Sequence, residues 1–149
     1  MKNKTLCEMY GYVKSRYYKP DLVTERPVNE YRIALLSSVG VFATVMLSDE
    51  DTKKRDTIAQ VGIDMLKLML IYKPDEAMLI DMERHPTPDR ILNEFSEMVN
   101  FLCSIEGANF LFAWRSLKAI AKQVGIDNLL LEMQRVFHNT DTLGMEDKE

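Results

Sequence analysis

The chain is poor in the residues that build metal clusters and cross-linked scaffolds. Of its 149 residues, two are histidine and two are cysteine. Cys7 and Cys103 lie far apart without metal-ligand spacing, which argues against a zinc site or a disulfide framework and leads us to expect reduced, partly buried thiols. His85 precedes a proline and His138 follows an apolar stretch. Neither has a second ligand at metal spacing, and no serine sits in a nucleophile elbow. The six glycines form no glycine-rich phosphate loop. No uncharged apolar run approaches the roughly 18 residues of a spanning helix, and the N-terminus lacks the apolar stretch of a signal peptide. Positive charge is not in excess either: 19 basic residues face 23 acidic ones, a net charge of −4, which gives no general pull toward nucleic acid. The nearest basic cluster, Lys53-Lys54-Arg55, is flanked by Asp49-Glu50-Asp51 and by Asp56 and reads as a solvated helix start. These absences predict a soluble, cytoplasmic protein with no nucleic-acid or membrane partner and no resident cofactor.

What the chain does have is apolar residues, 46% of the total, enough for one domain with a substantial core. They recur at spacings of three and four, and no segment alternates with a period of two over strand length, so the predicted fold is all-α. A short N-terminal helix carries Met9, Tyr12 and Val13, and Tyr17 to Pro27 reads as a connector. From Asn29 to Leu47 the apolar face is Tyr31, Leu35, Val39, Phe42 and Met46. Ser48 or Asp49 is expected to cap the next helix, whose stripe is Ile58, Val61, Met65, Leu68, Met69 and Tyr72. The short connection makes these two an antiparallel pair. Pro74 ends the second of the pair or opens a short helix through Met82, His85-Pro86-Thr87-Pro88 forms a break, and a further helix runs to about Ile105. Phe110, Trp114, Leu117, Ile120 and Val124 mark another, which Gly125 stops. Asp127 is expected to cap a last helix through Leu130, Met133 and Phe137. The prediction is a single domain over 1–149 with five to six helices: an N-terminal helix and connector over 1–27, a bundle core over 29–138, and a polar, frayed tail over 139–149.

The string Gln60-Val61-Gly62-Ile63-Asp64 returns as Gln123-Val124-Gly125-Ile126-Asp127. The first copy lies inside a helical pattern, where Gly62 costs about 1 kcal/mol relative to alanine and so signals close helix approach. The second falls at a helix stop and restart, so the two copies are expected to differ in geometry.

Leu36-Ser37-Ser38-Val39-Gly40-Val41-Phe42, followed by Ala59-Gln60-Val61-Gly62-Ile63-Asp64-Met65-Leu66, resembles the core helix pair of the MazG-type nucleoside triphosphate pyrophosphohydrolases. These belong to an all-α superfamily that includes dimeric dUTPases. The resemblance spans about Tyr31 to Tyr72. In that family a Glu-Glu-x-x-Glu motif on one helix and Glu-x-x-Asp on the next hold Mg²⁺, which assists water attack on the triphosphate. Several hard oxygen ligands must converge for this, since one carboxylate holds Mg²⁺ weakly. Here the first motif falls on Ser37, Ser38 and Val41, the second glutamate on Val61, and only the closing aspartate remains, as Asp64. Valine cannot ligate a metal, and a serine hydroxyl is a poor neutral substitute.

The resemblance implies a degenerate site and assembly into homo-oligomers. It makes the first expectation a non-catalytic helical protein that binds another protein or a nucleotide, strengthened by burial of Val41 and Val61. A second is a pyrophosphohydrolase with relocated Mg²⁺-binding acids, for which Asp64, Glu94 and Glu97 are the catalytic candidates, Asp64 the metal candidate, and Asp81, Glu83 and Glu106 lie nearby in sequence. A third is an unrelated all-α adaptor or inhibitor, of viral or mobile-element origin, whose methionine-rich groove takes a partner helix. For Asp64 the plain structural expectation is a surface or half-buried pair with Lys67. For Glu94 and Glu97 it is a solvated helix face.

Overall fold

The computed structural model describes residues 6–18, 25–46, 48–72 and 110–147; within these ranges it describes the backbone alone at 25–27, 72, 111–112 and 139–147. Among the described residues all regular structure is helical: α1 (Leu6–Tyr17), α2 (Glu25–Val45), α3 (Asp51–Tyr72), α4 (Phe110–Gln123) and α5 (Leu129–Asp147). The expected helix ending near Ile105 falls outside the described residues, as do Pro74, His85 and Cys103.

The centre of the arrangement is α3, which packs against each of the other four helices. The sequence predicts one apolar stripe on it, but from Ile58 to Ile71 only Gln60 and Lys67 escape burial. Ala59, Ile63, Leu66 and Leu70, off the predicted stripe, are as enclosed as Val61 and Met65 on it. A helix covered on every side has no solvent face to leave a period in its sequence.

Its closest neighbour is α2, whose Leu35, Val39, Phe42 and Met46 are buried and whose Tyr31 packs at their edge, as the periodicity predicts. The pair is antiparallel: Tyr31 lies over Lys67, and Ser38, one third of the way further along α2, meets Asp64, earlier on α3. In the connection Ser48 does not cap α3. Its hydroxyl donates to the Val45 carbonyl at 2.7 Å and accepts from the Glu50 amide at 3.2 Å. The first helical bond runs instead from the Lys54 amide to the Glu50 carbonyl, 3.0 Å, so the cap position belongs to Glu50. Lys53 pairs with Glu50 at 3.1 Å and Lys54 with Asp51 at 3.2 Å, both within the first turn.

Other boundaries also move. The start of α2 is Glu25 rather than Asn29, because Pro27 stands in the first helical turn, where a missing amide hydrogen breaks no helical bond. On α1 the buried residues are Leu6, Met9, Tyr10 and Val13. Tyr10, not Tyr12, turns inward, and its hydroxyl donates to the Met69 carbonyl at 3.4 Å. Cys7 is exposed rather than partly buried.

The predicted stop at Gly125 is a left-handed residue, φ +91°. The Ile126 amide reaches back to the Ala121 carbonyl at 2.8 Å and the Gly125 amide to that of Lys122 at 3.1 Å, the paired bonds that close a helix through a glycine. Asn128 then caps α5, its Oδ1 accepting from the Leu131 amide at 3.0 Å, one position after the expected Asp127. The backbone of α5 stays helical to Asp147, so the chain does not leave helix at Asn139.

The two copies of the repeated string therefore differ as expected: one is interior to α3 and the other spans the end of α4. In the first, a Cβ added at Gly62 would stand 2.5 Å from Sδ and 3.2 Å from Cγ of Met133 on α5. Gly62 lets α5 press its buried methionine onto the α3 backbone. Gly62→Ala is expected to realise less than the helix-propensity gain of about 1 kcal/mol, since Met133 must shift to admit the methyl. In a Met133→Ala background that gain should be recovered. Urea unfolding of the four proteins measures this, and an equal effect in both backgrounds would contradict the close approach.

Candidate functional site

Asp64 is buried, at 5% exposure. It lies beside the predicted stripe of α3, and because α3 is enclosed on all sides that position is interior. Taking a carboxylate out of water costs several kcal/mol unless its oxygens find donors. Both do. The Ser38 hydroxyl on α2 donates to Oδ2, and Gln60, one turn earlier on α3, donates from Nε2 to Oδ1 at 3.1 Å. The carboxyl therefore ties α2 to α3 across their shared interface. Burial raises its pKa above the ordinary aspartate value of 3.8, opposed by the Ser38 bond, the Lys67 charge and the Gln60 bond.

The expected Asp64–Lys67 ion pair does not form. Lys67 turns instead to aromatic rings, with its ammonium 4.2 Å from the Tyr17 ring centre and 5.1 Å from that of Tyr31. Arg16 adds to this cluster. It sits 5.5 Å from the Tyr17 ring and 5.0 Å from that of Phe137, and its Nη1 donates to the Phe137 carbonyl at 3.3 Å. The Tyr31 phenol is held above its usual pKa by burial, then by Tyr17 and Glu30. Cations over ring faces gain about 0.5–2 kcal/mol each, more where water is displaced, so the cluster pins α1, α2 and α5 to one end of α3. Tyr17 stands in the sequence as part of a connector and Tyr31 as plain core, so nothing in the pattern announces their shared cation. Gln60 could have been foreseen, since residues four apart on a helix are neighbours.

The other positions of the resemblance divide between surface and core. Val61 is fully buried, as expected. Val41 is not: it is 51% exposed, because it lies round the helix from Val39 and Phe42, which α3 covers. Ser37 is exposed and Ser38 half-buried. Among the described residues the groups that bond the Asp64 carboxyl are one hydroxyl and one amide. No known family model, curated protein or solved structure matches the chain.

These residues do not fit a Mg²⁺ site, which needs several anionic or carbonyl oxygens free to turn to one cation. Among the described residues no group of three or more histidine, cysteine or acidic side chains could hold a metal. Glu94 and Glu97, with Asp81, Glu83 and Glu106, lie outside the described residues. His138 is exposed and borders a pocket of about 390 Å³ on α5, with Leu131, Glu132, Gln134 and Arg135. Arg135 there is tied to Asp56 at 2.6 Å and to Glu132 at 3.0 Å, exposed pairs of small energetic weight. None of the acids or serines in the family-like motif lines this pocket.

The raised pKa of Asp64 fixes the sign of its pH dependence. An acid whose folded pKa lies above its unfolded one contributes stability that is complete below the unfolded value and is lost as pH rises through the folded value. Asp64→Asn keeps the shape without the charge; its amide nitrogen donates, so one partner must turn to accept, as the Ser38 hydroxyl can. Relative to Asp64→Asn, the wild type should lose stability as pH rises from the ordinary aspartate value through the elevated one. Denaturant unfolding of both proteins across that window checks this. A parallel pH course for the two would contradict it.

Proposed function

We propose that the chain is a non-catalytic protein on a MazG-like helical scaffold that acts by binding, to another protein in the first place and to a nucleotide in the second. The observation that carries this reading is that the last acid of the motif, Asp64, is buried with both oxygens already bound to donors of its own chain. Val61 supports it, being packed in the core where the family has a glutamate. A metal would have to break two hydrogen bonds in order to gain a single carboxylate, and buried donors left without partners cost about 1–3 kcal/mol each. An α2–α3 pair that uses its acid as a helix tie retains the scaffold without the chemistry.

Calorimetric titration with Mg²⁺ and a panel of ribo- and deoxyribonucleoside triphosphates, with pyrophosphate release followed in parallel, tests this. No turnover and no Mg²⁺-dependent heat are expected. Binding heat without turnover would select the nucleotide form of the reading. Turnover abolished by Asp64→Ala would overturn the proposal. Turnover abolished by Glu94→Gln or Glu97→Gln would do so in favour of relocated acids.

A further inference from the structure

The cations of this chain are compensated unevenly. Lys53, Lys54 and Arg135 each hold an acidic side chain within 3.2 Å. Among the described residues Lys67 holds none, although it is half-buried and the protein is acidic overall, with a net charge of −4. Its ammonium rests against the rings of Tyr17 and Tyr31, 4.2 Å and 5.1 Å from their centres. Ring faces attract the charge, but they do not replace oxygen acceptors for its three N–H donors. The two phenols are half-buried and, among the described residues, have no hydrogen-bond partner either. Burial first, then Tyr17 and Glu30, keep the Tyr31 phenol in its protonated, donating form, so the two tyrosines are within electrostatic reach of each other. Arg16 brings a second positive charge 5.5 Å from the Tyr17 ring, while its Nη1 is committed to the Phe137 carbonyl. The acids that act on this cluster are Glu30, exposed beside Tyr31, and Asp64, whose oxygens are taken by Ser38 and Gln60.

We propose that Tyr17 of α1, Tyr31 of α2 and Lys67 of α3 form a receptor for a phosphate group, with Arg16 supplying the second positive charge. Both phenol hydroxyls stand on rings that lie against one ammonium, so a single oxyanion in front of that ammonium can accept from all three. A phosphate carries nearly two negative charges near neutral pH and presents several strong acceptor oxygens around one centre. That matches two cations and donors that arrive from three helices. A carboxylate brings one charge and two oxygens in a plane, which leaves part of the donor set unused. The ring contacts serve the site by holding the ammonium in place before the anion arrives, so little ordering remains for binding. The inference does not rest on the reading of Asp64, whose carboxyl lies in the α2–α3 interface and is bonded to other groups. Inorganic phosphate and a phosphate monoester share this chemistry and differ in what hangs from the fourth oxygen.

Titration of the full chain with sodium phosphate, against sodium chloride at matched ionic strength, tests this by amide NMR. Saturable shifts are expected at Tyr17, Tyr31 and Lys67, with a midpoint in the millimolar range or below. Tyr17→Phe and Tyr31→Phe keep the rings and their contacts with the cations but remove one donor each, so each should weaken phosphate binding at least about fivefold. If the cluster only pinned the helices together, both variants would bind phosphate as the wild type does. Lys67→Met should abolish binding, and Glu30→Gln should tighten it by removing a like charge. Phenyl phosphate in place of inorganic phosphate separates the sources: tighter binding assigns the site to a phosphorylated molecule, and equal or weaker binding assigns it to the free anion. The absence of saturable shifts at tens of millimolar phosphate, or equal binding by the wild type and both phenylalanine variants, would overturn the proposal. Acetate reproducing the same shifts at the same concentrations would overturn the choice of phosphate.

Discussion

The structure depends on the enclosure of α3. One helix in contact with four others must present side chains that can be buried in every direction, and almost all of Ile58 to Ile71 obeys this. Each fully buried aliphatic side chain contributes about 1.5–3 kcal/mol, so the core is concentrated on this helix. The same enclosure creates its strictest demand: a polar group buried on α3 must be satisfied by protein. Asp64 meets that demand with Ser38 and Gln60, and the half-buried Lys67 lies against the faces of Tyr17 and Tyr31. The two solutions lie three residues apart and use different neighbours, which is why they do not pair with each other.

Close packing on α3 also explains Gly62. A side chain there would run into Met133, and a flexible thioether is well suited to lie against bare backbone. The letters that surround Gly62 recur around Gly125, but there the glycine serves a left-handed helix end with nothing pressed against it. Identical sequence yields an approach surface in one place and a helix stop in the other, because tertiary surroundings and not the pentapeptide decide its role.

Much of this was legible from residue pattern. The all-α class, the α2 core face, the antiparallel pair and the glycine stop all follow from spacing and from backbone chemistry that acts over a few residues. Cap positions slipped by one or two residues, since Ser48 and Glu50, or Asp127 and Asn128, offer similar groups and only the tertiary path chooses between them. Periodicity identified α3 as a helix but not as an enclosed one, so Asp64 read as marginal and Lys67 as its natural mate. Burial of Val41 was expected from the resemblance and not from the periodicity, whose face holds Val39 and Phe42; one residue along a helix turns the side chain through about 100°, enough to leave it in solvent.

The central claim is that Asp64 is a buried structural tie and not a metal ligand held in reserve. Carboxyl-carbon NMR of Asp64, titrated with pH in the presence and absence of millimolar Mg²⁺, tests it directly. The expected result is a midpoint above the ordinary aspartate value and a signal that Mg²⁺ does not move. A signal that follows Mg²⁺ would contradict it.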